Sequence, residues 1–120
     1  MTGRRTVSAH RILAAAMPER ELQENVRQLC AGLGLYHFHP HNSTRSEPGW
    51  PDSAIIGRRM IFRELKSECG KLTPEQAEVG RKLKAAGENW RVWRPSDWLS
   101  RQIEKELTEL AAVQGELFTA

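Results

Sequence analysis

Residues 49–66 read GWPDSAIIGRRMIFRELK, and the fold follows from how this stretch pairs with itself. Residues 53–57, SAIIG, form a short apolar run of the kind that makes a buried strand. Gly57-Arg58-Arg59 makes a tight turn, and residues 60–66, MIFRELK, read as the paired strand. Two short strands and a tight turn make a hairpin. Pro51-Asp52 lies just before its first strand, and Glu64-Leu65-Lys66 ends its second. Antiparallel pairing therefore brings Asp52 and Glu64 to one end of the sheet. Glu64 and Lys66 differ by two, so strand alternation points both side chains to one face.

Working upstream, residues 40–51 are polar and rich in turn formers, and read as a loop. Residues 35–39, LYHFH, alternate and are aromatic, which reads as a strand. Before them, Pro18 fits the first turn of a helix, and Leu22, Val26, Leu29 and Leu33 recur at helical spacing. Glu19 and Gln23 lie four apart on a neighbouring face, and Gly32 and Gly34 end the helix. Downstream, Thr73 and Gln76 form a T-x-x-Q capping box with Pro74 at the first helical position, and Gly87 is the stop. Residues 90–93, WRVW, read as a fourth strand. Pro95 breaks it, and Ser96 caps a last helix striped by Leu99, Ile103, Leu107 and Leu110. The order α-β-β-β-α-β-α points to a small α/β sandwich, a central sheet flanked by helices. Residues 1–17 read as an N-terminal arm or short helix without a strong cap. Residues 18–112 read as the domain, and 113–120 as a C-terminal tail.

The chain has 120 residues, the size of one domain, and its 39% apolar content builds one modest core. Four Trp and a charged fraction of 28% fit a globular protein rather than a disordered tail. A net charge of +3 and a pI of about 9.2 lean towards a polyanionic partner. No apolar run approaches the ~20 residues that span a bilayer. The N-terminus has no signal-peptide pattern either, so the expected location is cytoplasmic. Cys30 and Cys69 do not make a disulfide framework, and a zinc ribbon would need a second pair.

The chemistry lies in the hairpin. Mg²⁺ takes hard oxygen ligands and keeps several waters. Asp52 and Glu64, on adjacent strands, can supply two carboxylates, and the backbone carbonyl of Leu65 a third ligand. The Lys66 ammonium, beside them, can orient or help deprotonate an attacking water, or stabilise charge building on phosphorus. A bound metal lowers the pKa of its water and polarises a phosphate. The expected reaction is phosphodiester hydrolysis. A P-D…E-x-K pattern in a tolerant window arises by chance in on the order of 1% of chains this long. The plain alternative is a surface hairpin with solvated charges.

This stretch resembles the PD-(D/E)xK nuclease superfamily, and more closely its VRR-Nuc family in the single-domain form of phage and bacteria. The signature R-S-x-x-G-x-P-D appears as Arg45-Ser46-Glu47-Pro48-Gly49-Trp50-Pro51-Asp52, and E-x-K as Glu64-Leu65-Lys66. The likeness runs over residues of about 18 to 98 and ends in WRPSDW, residues 93–98. It implies a restriction-endonuclease-like core, α-β-β-β-α-β with a central mixed sheet, plus a C-terminal helix. It also implies a Glu on the first helix, best matched by Glu19 with Glu21 and Glu24 nearby, and a Gln on the following helix, matched by Gln76. The implied activity is that of an Mg²⁺- or Mn²⁺-dependent endonuclease acting on DNA. Single-domain members resemble Holliday-junction resolvases and tend to be homodimers, which makes branched DNA the expected partner. A nuclease on linear, nicked or flap DNA, or a catalytically silent DNA-binding module, stands as the alternative.

Several residues have two readings. Gln76 closes the capping box, orients a substrate, or both. Glu19 belongs to the site or favours the helix N-terminus electrostatically. His37, His39 and His41 form H-x-H-x-H, a spacing that can bind zinc, or His37 faces the cleft and the others are solvated. Arg45, Ser46 and Lys71 are candidate phosphate contacts, or solvated. Trp50 stacks on a base or packs. Trp90, Trp93 and Trp98 read as core. Cys30 reads as a small buried apolar residue and Cys69 as a loop thiol without a partner.

Overall fold

The computed structural model describes residues 8–40 and 47–119, with 113–119 described as helix backbone alone. Its elements are α1 (Ala9–Ala16), α2 (Glu19–Gly32), β1 (Tyr36–Phe38), β2 (Ser53–Ile56), β3 (Met60–Leu65), α3 (Pro74–Ala85), β4 (Asn89–Trp93), α4 (Pro95–Leu99) and α5 (Gln102–Thr119). The four strands form one sheet in the order β1-β2-β3-β4. β1 and β2 pair antiparallel, as do β2 and β3, whereas β3 and β4 are parallel. Parallel neighbours need a long crossover, and α3 is that crossover. The sheet is therefore mixed and flanked by helices, as the sequence implies.

Local chemistry explains most boundaries. In α3 both bonds of the capping box form: Thr73 Oγ1 accepts from the Gln76 amide at 3.1 Å, and Gln76 Oε1 accepts from the Thr73 amide at 2.9 Å. Residues 8–17 do contain a helix, and it has a cap, since Ser8 Oγ accepts from the Arg11 amide at 3.1 Å. The expected single last helix is two. Pro95 takes the first helical position of α4, so the cap is Arg94, whose amide donates to Asp97 Oδ2 at 2.8 Å. Ser96 lies inside α4, and its amide donates instead to Glu68 Oε1 at 2.9 Å. Arg101, at φ 70°, then redirects the chain into α5, which extends to Thr119 past residue 112.

One core sits between a sheet face and two helices. Leu22, Val26 and Cys30 of α2 meet Ile55, Ile61, Leu65 and Trp93 of the sheet and Ile103, Leu107 and Leu110 of α5. Alternation along β3 sends Ile61, Arg63 and Leu65 to this face and Phe62 and Glu64 to the other. On that other face α3 approaches so closely that a Cβ at Gly80 would lie 2.5 Å from the Trp90 ring. Nearer β1 the same face carries Tyr36, Phe38, Ile56 and Met60, between 42% and 64% exposed. No described helix is long and apolar enough to cross a membrane.

Candidate active site

The Ser53–Arg63 register places Asp52 beside Glu64 at one end of the β2–β3 pair. Asp52 Oδ2 accepts from the Leu65 amide at 2.9 Å, which fixes its carboxylate against β3. Glu64 is only 2% exposed, and its Oε1 is buried without a hydrogen-bond partner. Lys66 Nζ stands 4.0 Å from Glu64 Oε2. Burial pushes the Glu64 carboxyl up to about 8, helped by the charge of Asp52 and a hydrogen bond with it, and by Glu19. Lys66 opposes this rise.

Glu19 opens α2 and completes the group. Its carboxyl is raised first by burial and then by Asp52, with Lys66 again opposing. Gln23 donates to Glu19 Oε2 at 3.3 Å, one helical turn on. The neighbouring acids do something else: Glu21 is exposed, and Glu24 pairs with Arg27 at 2.5 Å. Glu19, Asp52, Glu64 and Lys66 thus share one electrostatic neighbourhood, drawn from α2, the β2 entry and β3.

Two histidines hold the β2 entry in place. His37 Nε2 is 2.8 Å from Ser53 Oγ, and His39 Nδ1 is 2.7 Å from the carbonyl oxygen of Asp52. A carbonyl only accepts, so His39 Nδ1 carries the proton. Burial, and then His39 and Arg27, lower the His37 pKa. His39 is therefore a brace for Asp52 rather than a solvated side chain. His41 lies outside the described residues. Among the described residues, no three His, Cys, Asp or Glu side chains stand ready to hold a metal ion.

Arg94 braces the other side. Its Nη1 donates to the carbonyls of Ser67 at 2.8 Å, Glu68 at 3.3 Å and Gly70 at 2.6 Å, fastening the loop that follows Lys66. Reading the sequence found Arg94 only as part of WRPSDW, because its partners lie more than twenty residues away. Gln76 joins Asp52 and Trp50 around a small cavity of about 150 Å³. The α3 cap uses its side-chain carbonyl and does not engage its amide nitrogen. Trp50 is 43% exposed and meets Phe62 edge-on, with ring centroids 5.9 Å apart, so it both packs and presents a face. Lys71 is exposed in the loop before α3. Arg45 and Ser46 lie outside the described residues.

Gly49 sets the path into Asp52. It has φ 90°, and a Cβ there would lie 2.3 Å from the Glu75 carbonyl oxygen. Gly49→Ala combines backbone strain with overpacking, for an expected loss of about 3 kcal/mol. Urea unfolding measures that loss. The Asp52 entry shifts with it, so activity falls even where the variant is fully folded.

No family model matches the chain, and no curated protein matches it. Among solved structures, a chain described as a VRR_NUC domain is similar, with a TM-score of 0.60 and 26% identity over 74% of this chain and 97% of that one. The likeness in fold covers nearly all of that domain. This likeness, together with the fold, supports membership of the VRR-Nuc family of nuclease domains.

Proposed function

We propose that this nuclease hydrolyses DNA phosphodiester bonds with a divalent cation, Mg²⁺ or Mn²⁺, and cuts branched DNA as a homodimer. The observation that carries the reading is the buried Glu64 with an unpartnered oxygen, set against Asp52 and 4.0 Å from Lys66. A carboxylate is expensive to bury without a compensating charge. A hard cation fits both the unpartnered oxygen and the crowding of Asp52, Glu64 and Glu19. Asp52 and Glu64 would hold it, with the Leu65 carbonyl as a third protein ligand.

When bound, the cation supplies Lewis acidity and a more acidic water. The chain does the rest. Lys66 orients the attacking water and meets the negative charge that builds on the phosphoryl oxygens. Glu19 offers a further carboxylate, directly or through a water. The amide nitrogen of Gln76, a residue lining the cavity beside Asp52, orients a phosphate oxygen or the water. His39 and Arg94 keep the two loops from moving, which keeps the reacting atoms in register. Trp50 and Lys71 contact the DNA around this centre, and the signature residues Arg45 and Ser46 supply further phosphate contacts.

Support for a homodimer comes from the exposed apolar row of Tyr36, Ile56 and Met60, with Phe38 beside it. A second copy covering this row by a two-fold axis gives two sites, one for each strand of a symmetric junction. The test incubates wild type and Asp52→Ala with four-way, flap and linear DNA, each with Mg²⁺, Mn²⁺ or EDTA. Paired nicks on the four-way substrate are expected, with metal only, and Asp52→Ala loses on the order of 10³-fold in rate. Equal cleavage by the variant refutes the site. Equal rates on all three substrates leave a nuclease without junction preference, and an active monomer in sedimentation refutes the dimer.

A further inference from the structure

We infer a second phosphate-binding site, on the opposite face of the sheet from Glu64, in the cavity bounded by β3, β4 and α5. Alternation on β3 sends Glu64 and Arg63 to opposite faces. On the Arg63 side lies a cavity of about 250 Å³. Arg59, Arg63, Arg91 and Lys105 line it, with Glu106 and Glu109. Four cations less two carboxylates leave a net charge of +2.

One of the two carboxylates, Glu106, is already saturated. Glu106 Oε1 accepts from Arg63 Nη2 at 3.0 Å and from Trp93 Nε1 at 3.2 Å. Its Oε2 accepts from Arg91 Nη1 at 3.3 Å and from Gln102 Nε2 at 2.8 Å. Arg59 and Lys105 make no ion pair among the described residues. Arg63 is 2% exposed, and its Nε is buried without a hydrogen-bond partner. A buried guanidinium N–H without an acceptor is costly. The charges of Arg91 and Arg59 also act against the Arg63 cation. Arg63 Nε therefore lacks an acceptor, and the lining of the cavity is net positive.

A phosphate group answers both. It brings several acceptor oxygens in a geometry that matches guanidinium forks, and enough charge for two unpaired cations. Two sources share this chemistry: the backbone of a nucleic acid, or free phosphate and mononucleotides. The site stands apart from the cleavage reading, because it needs none of Asp52, Glu64 or Lys66.

The test follows the Arg63 Nε–Hε resonance by NMR in EDTA, where no cutting occurs. Inorganic phosphate is titrated first, then a short blunt duplex. A saturable shift of the Arg63 signal is expected with phosphate. The double variant Arg59→Ala/Lys105→Ala changes only exposed side chains, so its melting temperature should match wild type. Its apparent Kd for phosphate rises about five-fold or more. A duplex that shifts the same signal, with a salt slope smaller by about 1 in the variant, identifies the DNA backbone as the source. A response to phosphate alone identifies a small phosphate ligand, and the site holds. No Arg63 shift with either probe, or an unchanged Kd in the folded double variant, overturns the proposal whatever the cleavage assay shows.

Discussion

Glu64→Gln abolishes cleavage while making the metal-free protein more stable. The two effects have one origin. Glu64 is buried beside Asp52 and within reach of Glu19, and its carboxyl stands at about 8 instead of 4.5. In the metal-free fold it holds a proton that the unfolded chain has already released. The associated stability is fully present below about 4.5 and is lost as pH rises through about 8. Glu19 is raised as well and adds to the same slope. Over that window, in EDTA, wild type should lose a few kcal/mol, on the order expected for a shift of this size. Glu64→Gln keeps the volume and removes the charge, so its melting temperature falls less with rising pH than that of wild type, with Glu19 supplying the remaining slope, and exceeds it at pH 8. Added Mg²⁺ reverses the ranking. It should raise the melting temperature of wild type, more at pH 8 than at pH 6, because cation and proton compete for the same carboxyl. Glu64→Gln should show neither that rise nor measurable cleavage, a loss on the order of 10³-fold or more. A variant that cuts normally, or that is destabilised at pH 8 in EDTA, contradicts the assignment. Calorimetry across pH and a nicking assay read both halves.

What could be read from the chain beforehand was whatever is local. Strand alternation in MIFRELK put Glu64 and Lys66 on one face, and the structure sets them 4.0 Å apart. Thr73, Pro74 and Gln76 are a self-contained cap, and its bonds form as their spacing requires. The hairpin register followed from a short turn and two apolar runs. What could not be read depends on distant partners. The roles of His37 and His39 exist only once β1 has paired with β2. Helical spacing alone cannot choose among Glu19, Glu21 and Glu24; their surroundings do, since Glu24 is exposed beside Arg27 whereas Glu19 is partly buried near Asp52. Arg101 breaks the last helix at a positive φ without a Gly or Pro to announce it. Nothing local marks Arg63 as buried; its partner lies 43 residues away on α5.

That partner carries the largest expected effect on stability. Glu106→Ala should cost about 3–5 kcal/mol, because it leaves the Arg63 guanidinium buried and uncompensated. Burial pushes the Glu106 carboxyl upward, but hydrogen bonds from Gln102 and Arg63 and the charges of Arg63 and Arg91 outweigh it, and its pKa lies below 4.5. The stability from this group is therefore complete above about 4.5 and declines as pH falls below it, opposite in direction and separate in window from the Glu64 effect. The Arg63 cation also sits 4.9 Å over the Trp93 ring and donates to the carbonyls of Phe62 and Asn89. It ties β3 to β4 and both strands to α5, so the loss should be global rather than confined to the helix. Removing both charges distinguishes an uncompensated ion from a needed bond. Arg63→Met with Glu106→Leu leaves no buried charge and should recover most of the stability lost by Glu106→Ala, giving a coupling of several kcal/mol in the double-mutant cycle. Single and double variants that lose equal stability in urea titration would mean that the individual bonds matter and the stranded charge does not.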